Sequence, residues 1–275
     1  MLNKDELLNC SIIVLDKPSN YDSHQITACI KRILNIEKIG HGGTLDPKVT
    51  GVLPIFLNKA TKLAHYFFRT HKEYVGIMRI HNDINLKNIK ETARKFTGKI
   101  KQLPPLKSAV KRQEREREIY EFEILEKNNK DILFKVRCES GTYIRKLIHD
   151  FGIALGTGAH MLELRRTKDW FFSEKDCVSM NDIVNNTNNG KIRDILVPVE
   201  IIAKNMPNII VKDEYLDKLY HGSPVYREYV LSMDKFKKDD FVAVIARDKG
   251  LIEIARAILE GNVIAKPNTV LNNGI

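Results

Sequence analysis

The segment Gly40-His41-Gly42-Gly43-Thr44-Leu45-Asp46-Pro47-Lys48-Val49-Thr50-Gly51 restricts the fold of this chain more than any other stretch. Glycines at 40, 42 and 43 admit backbone turns that a side chain forbids, and Pro47 stiffens the chain directly after a carboxylate. Such a loop joins ordered elements while holding one acid in a fixed pose. On these residues alone Asp46 reads as a turn cap ahead of Pro47, with a working carboxylate as the competing reading. The glycine–lysine–hydroxyl ending of a Walker loop is missing.

Strand and helix patterns alternate on either side. Residues 11–15 form a β-branched run ended by Asp16-Lys17-Pro18, because proline removes a ladder donor. Ser23 predicts an N-cap for a helix with Ile26, Cys29, Ile30 and Ile33 on one face. Residues 52–57 read as a buried strand, after which Asn58 caps a helix bearing Leu63, Ala64 and Phe67. Residues 72–80 predict a strand with Tyr74, Gly76, Met78 and Ile80 on one face. Leu86, Ile89, Ala93 and Phe96 have helical spacing, and 132–138 is another strand. Ile144, Leu147, Ile148 and Phe151 define a helix stopped by the glycines of 156–158.

Residues 107–126 start as a charge-dense arm and end in alternating apolar positions, which suits an exposed hairpin or an RNA contact equally. The polar run 185–191 reads as a surface loop. Beyond Pro198, short apolar runs at 209–211, 241–246 and 252–258 indicate a separate small β-rich unit. The fold class is therefore α+β. A mixed, mainly antiparallel sheet flanked by helices occupies residues 1–204, and a small β-barrel-like domain occupies 205–275.

Lys and Arg number 45 against 35 Asp and Glu, a formal charge of +10, which points to a phosphate-rich partner. No run approaches the roughly 20 apolar residues of a bilayer-spanning helix, and the start of the chain does not read as a signal peptide. Cys10, Cys29, Cys138 and Cys177 are scattered without a CxxC pair, and no HExxH occurs among the histidines. That spacing predicts no metal and no disulfide scaffold, and fits idle thiols in a reducing cytosol. No cofactor signature is present.

Two further segments carry reactive side chains. Lys72-Glu73-Tyr74 places a tyrosine near a strand start, either as packing or as a ring on which a base stacks. In Gly141-Thr142-Tyr143-Ile144-Arg145, an extended 142–145 would put Tyr143 and Arg145 on one face with Ile144 inward. Arg145 is then a solvated charge, or a guanidinium that keeps a neighbouring carboxylate ionised and oriented.

Together these segments resemble the pseudouridine synthases of the TruB type, and more closely their RNA-guided branch, which includes the archaeal box H/ACA synthase and eukaryotic dyskerin. The motifs occur in order: LDKPS at 15–19, GHGGTLDPKVTG at 40–51, KEYVG at 72–76, PPLKSAVKR at 104–112, GTYIRKLIHDFG at 141–152 and GAHMLELRRT at 158–167. The resemblance implies isomerisation of a flipped-out uridine without cofactor. It makes Asp46 the essential acid, Tyr74 the ring that stacks on the base and Arg145 the partner of Asp46. Tyr143 and Leu164 line the pocket, and His41 contacts the nucleotide's surroundings or is structural. Lys17 and Pro18 support the active-site loop. Lys107, Lys111, Arg112, Arg165 and Arg166 are candidates for phosphate contacts, or surface solubilisers.

Residues from about 205 resemble, more loosely, a PUA RNA-binding domain. The implied partners are a guide RNA, target rRNA or tRNA, and small box H/ACA companion proteins, with no membrane. The implied location is the cytoplasm, or the nucleolus for a eukaryotic source. KSAVKR favours guided action over a stand-alone enzyme of the tRNA T-loop. Asn20 and Gly42 depart from the family pattern, which has glycine and commonly serine there, and Asp22 replaces a threonine. The amino-terminal extension of dyskerin-like proteins is nearly absent, since LDKP begins at Leu15.

Overall fold

The computed structural model describes residues 8–103, 113–247 and 250–271. Strand β1 (Ser11–Lys17) pairs antiparallel with β3 (Thr50–Leu57), whose other edge carries β2 (Ile39–His41). The body of the sheet adds β4 (Lys72–Ile80), β5 (Gly98–Gln102), β6 (Arg115–Asn128), β7 (Asp131–Cys138) and β8 (Ala159–Asp169). Short strands β9 (Phe172–Ser173) and β10 (Val197–Pro198) pair with β8 and β1. The order is β10-β1-β3-β8-β4-β7-β6-β5, antiparallel throughout except at β3 and β8 among the described residues. That parallel seam comprises Thr50↔Arg165 and Gly51↔Arg166. It needs glycine: φ at Gly51 is +102°, and a Cβ there would stand 2.2 Å from the Arg166 carbonyl oxygen.

Helices α1 (Ser23–Leu34), α2 (Ala64–Phe67), α3 (Leu86–Lys95), α4 (Ile144–Ala154) and α5 (Met180–Asn188) accompany this sheet. The amphipathic spacing works as expected: Ile26, Ile30 and Leu34 of α1 and Leu147, Ile148 and Phe151 of α4 enter one core with Leu53, Met78 and Phe134. Each such side chain contributes roughly 1.5–3 kcal/mol on burial. Phe122 meets Phe134 and Phe151 edge-on, with centroids 5.8 and 5.3 Å away.

Local details differ from expectation in three places. Asp22, not Ser23, caps α1, because its carboxylate accepts from Gln25 N while Gln25 Oε1 accepts from Asp22 N, a reciprocal box. Asn58 does not cap a helix. It sits at φ +44° at the start of a 3₁₀ segment, Asn58–Leu63, and its Oδ1 accepts from the amides of Glu37 and Lys38. Residues 185–188 are the last turn of α5 rather than loop, held by Thr187 Oγ1 donating to the Ile183 carbonyl.

The chain leaves the first sheet at Pro198 and enters a second at Asn208. The second contains β11 (Asn208–Val211), β12 (Val225–Tyr226), β13 (Val230–Met233), β14 (Phe241–Ala246), β15 (Gly250–Glu260) and β16 (Val263–Val270). Its order is β12-β16-β15-β14-β11-β13, with β11 and β14 parallel. The two sheets share an apolar seam that includes Phe56, Phe67, Ile202, Ala243 and Ile254. Tyr66 crosses it, donating to Asn268 Oδ1 at 2.6 Å and lying 2.8 Å from Thr269 Oγ1.

Glu253 of β15 is fully buried, and neither carboxyl oxygen has a hydrogen-bond partner among the described residues. Burial pushes its pKa up to about 8 from 4.5. The folded chain therefore keeps a proton that the unfolded chain loses, so stability is full below pH 4.5 and declines as pH rises towards 8. Glu253→Gln is expected to abolish that alkaline decline and to be more stable than wild type at pH 8.5 by on the order of 3 kcal/mol. Urea unfolding of both proteins at pH 6 and 8.5 measures it, and parallel curves would contradict it.

Candidate active site

Asp46 lies in the loop between β2 and β3, and Arg145 lies in the first turn of α4. Arg145 Nη2 stands 2.7 Å from Asp46 Oδ2, with the side chains 58% and 45% exposed. The pair is joined across about one hundred residues of sequence and stays open to solvent on one side. Residues 142–145 are not extended: α4 begins at Ile144, with Tyr143 as its N-cap. A buried side chain produces this turn. Gln102, at the end of β5, donates from Nε2 to the Tyr143 carbonyl (3.2 Å) and accepts the Tyr143 N–H at Oε1 (3.0 Å).

The loop bearing Asp46 is fixed from several directions. Lys17 is fully buried, and its ammonium donates to the carbonyls of Pro18 (2.7 Å), Tyr21 (2.6 Å) and Pro47 (3.2 Å). Burial lowers its pKa. Three carbonyl dipoles are the means by which a buried cation is tolerated. The Asn20 amide also donates to Pro47 O at 2.8 Å, and Asn20 adopts φ +72°. Asparagine tolerates that left-handed backbone, which explains how it occupies the position of the family's glycine. Ser23 Oγ accepts from Leu45 N (2.9 Å) and donates to Leu45 O (3.2 Å).

Gly42 is explained by its neighbour. A Cβ there would come within 2.8 Å of the Phe67 Cβ, so the serine of the family pattern does not fit against this phenylalanine.

Arg166 was a candidate phosphate contact, yet it is 1% exposed. Strand β8 alternates faces, and Arg166 is the inward member of its pair. Its guanidinium donates from Nε to Val52 O (2.7 Å) and from Nη2 to Gly43 O (3.2 Å), bridging both flanks of the Asp46 loop. Asp169 Oδ2 lies 3.4 Å away, and the Asp169 carboxylate also pairs with buried Lys72. Lys72 donates further to Phe67 O and Thr70 Oγ1. Arg165 points outward but is occupied, with a two-pronged bond to Asp16 (2.9 and 3.0 Å) and a third contact to Glu174. Lys107, Lys111 and Arg112, with the motif at 104–112, lie outside the described residues.

Tyr74 is 8% exposed and shares the apolar cluster of Leu45, Val49 and Leu164. Its hydroxyl faces the Arg166 guanidinium, and burial pushes its pKa up to about 12. Leu164 pairs across from Gly76, two residues along β4 from Tyr74. The loop, Tyr74 and Leu164 therefore converge through Arg166 and one core. His41 packs among rings: its own lies 5.3 Å from His24 and 6.4 Å from Phe68. Burial lowers its pKa to about 4, with the charges of His24 and Arg166 acting in the same sense. It is neutral at working pH.

Sequence reasoning missed Gln102, the loop-binding role of Ser23, and the Lys72–Asp169 pair. Lys72 carried a usable signal, since it shares the inward parity of Tyr74 and Met78, and an inward lysine demands a carboxylate. Among the described residues no group of three His, Cys, Asp or Glu side chains is arranged to hold a metal ion. All four cysteines are free, and burial pushes the thiols of Cys10, Cys138 and Cys177 up to about 12, which leaves them protonated.

The TruB family pseudouridylate synthase N-terminal domain matches residues 31–144, and a tRNA pseudouridylate synthase B C-terminal domain matches 145–204. A probable tRNA pseudouridine synthase B of Archaeoglobus fulgidus is 42% identical, covering 94% of this chain and 82% of that protein. Its counterpart in Methanocaldococcus jannaschii is 41% identical, covering 98% and 80%. Among solved structures, a Cbf5-Nop10-Gar1 complex superposes with a TM-score of 0.91 at 37% identity, over 98% of this chain and 87% of that one. An H/ACA ribonucleoprotein bound to substrate RNA gives 0.90 at 34%, over 99% and 89%. The chain belongs to the TruB family of pseudouridine synthases, which isomerise uridine to pseudouridine.

Proposed function

We propose that the chain is the catalytic subunit of a guide-RNA-directed pseudouridine synthase, with Asp46 as the acid that acts on the target uridine. The 2.7 Å Asp46–Arg145 pair carries this reading. The reaction breaks N1–C1′, turns the base and forms C5–C1′, so the C5 proton leaves and N1 regains one. Nothing is oxidised, and no group donor is consumed. The uridine must leave its stack to react, at a cost of a few kcal/mol. Stacking on Tyr74 offsets part of that cost, and Leu164 and Tyr143 complete the walls. Arg145 aims the Asp46 carboxylate through their charge-assisted contact. Because the pair is half exposed, the RNA itself is the lid.

Residues 1–204 form the catalytic domain in this reading and 205–275 a PUA-type RNA-binding domain. Small companion proteins are proposed because the related solved assemblies contain Nop10 and Gar1. Free thiols favour the reducing cytoplasm. A stand-alone action on tRNA is the second reading, favoured by the names of the curated relatives.

The two separate on one assay. Tritium release from C5-labelled uridine is measured with an isolated tRNA, and with a target RNA given with or without its guide. Release only when guide is supplied is the expected result, and equal release from tRNA alone establishes the second reading.

A further inference from the structure

A cavity of about 340 Å³ opens between the two sheets and shares no lining residue with the Asp46–Arg145 pair. Besides the buried Tyr66, three rings bound it: Trp170 in the turn after β8, Tyr120 of β6 and Phe241 of β14. None is fully buried, and Tyr120 is 36% exposed. Two guanidinium groups attend them. Arg69 stands 5.4 Å over the Phe241 ring, and Arg137 stands 5.2 Å over Tyr120. His71 and Thr70 add polar groups, and among the described residues no carboxylate lines the space.

Trp170 adds an independent sign. It holds φ +55°, a left-handed conformation that is an outlier for so bulky a residue. Its amide donates to the His71 carbonyl at 3.0 Å, and its ring rests edge-on against Phe67 at 5.1 Å. Strain of this kind persists only where the surroundings enforce it, and it concentrates at ligand sites. Here the enforced pose leaves an aromatic surface facing an open, cationic space.

We propose that this cavity is a second RNA subsite, which takes one unpaired nucleotide with its base among Trp170, Tyr120 and Phe241 and its phosphate on Arg69. The chemistry selects that ligand. Aromatic faces stack on any base, and guanidinium groups bind phosphate by paired hydrogen bonds. The volume suits a single nucleotide and excludes a duplex. A ligand bound here would bridge the two sheets, tying the catalytic half to the small β-rich half. The proposal rests on the reading of the chain as an RNA-binding enzyme and adds a place where RNA is held away from the chemistry.

Trp170 is the sole tryptophan of the chain, so its emission reports this cavity. The probe is single-stranded hexauridylate or hexaadenylate titrated into the full chain, with total binding followed in parallel by anisotropy of the labelled oligonucleotide. Saturable quenching is expected. In Arg69→Ala and in Tyr120→Ala its midpoint should weaken about five- to tenfold, as loss of one stacking or phosphate contact requires. Turnover of both variants at saturating RNA should stay within about twofold of wild type, because neither residue touches the Asp46 site.

Emission that stays constant while anisotropy reports binding overturns the subsite and leaves the enzyme assignment standing. Absence of binding by either readout overturns the RNA reading itself. Quenching by a companion protein and not by oligonucleotide makes the cavity a protein seat, which also overturns the proposal.

Discussion

Asp46→Asn is expected to lower single-turnover pseudouridine formation by at least about 10³-fold while RNA affinity changes less than about twofold. Asparagine keeps the shape of the side chain and can still lie beside Arg145. The loop around it is held by Lys17, Asn20, Ser23 and Arg166 through backbone atoms, so its course does not depend on the carboxylate. What disappears is the charge proposed to act on the uridine. Tritium release under single-turnover conditions and filter binding of the same RNA separate chemistry from association. Equal product from mutant and wild type would remove Asp46 from the mechanism. A parallel loss of rate and affinity would make it a binding group instead.

The second large effect concerns stability. Arg166→Met is expected to destabilise the protein by about 3–5 kcal/mol, the usual result of removing one partner from a buried ionic network. Methionine fills much of the space but leaves the Gly43 and Val52 carbonyls without their donor. Asp169 Oδ2, which already lacks a hydrogen bond, also loses its second cation. Arg165→Met is the matched control one residue away. Its three carboxylate contacts are partly exposed, so the loss should stay within about 1 kcal/mol. Urea midpoints for the two variants test the contrast, and equal costs would deny that Arg166 holds the loop.

That contrast also shows where reading the sequence stops. The helical faces of α1 and α4 and the inward parity of β4 were legible because apolar side chains repeat with the period of the element. Asp46 was legible as one of two readings, and the ion pair to Arg145 supports the working-carboxylate reading that we propose. Adjacent strand residues point to opposite faces, so which of Arg165 and Arg166 lies inside depends on what covers each face. Within the strand the signal is mixed, since buried Leu164 and exposed Leu162 both share the parity of Arg166. Similarly, Asp22 and Ser23 are both good helix caps, and the choice went to Asp22 because Leu45, 22 residues away, engages the serine. Gln102 could not be foreseen at all, since its value lies in a clamp on Tyr143 across 41 residues.

The β3–β8 seam has a consequence for the birth of the enzyme. Asp46 leaves the ribosome early, but the strand that brackets its loop, with Arg166 and its counterion Asp169, is synthesised more than a hundred residues later. A nascent chain halted before Arg166 already carries Asp46, Tyr74 and Arg145, yet the loop lacks the guanidinium that spans its two flanks. On the proposed mechanism, competence for modification is expected only once β8 has been synthesised, so a chain truncated before Arg166 should make no pseudouridine.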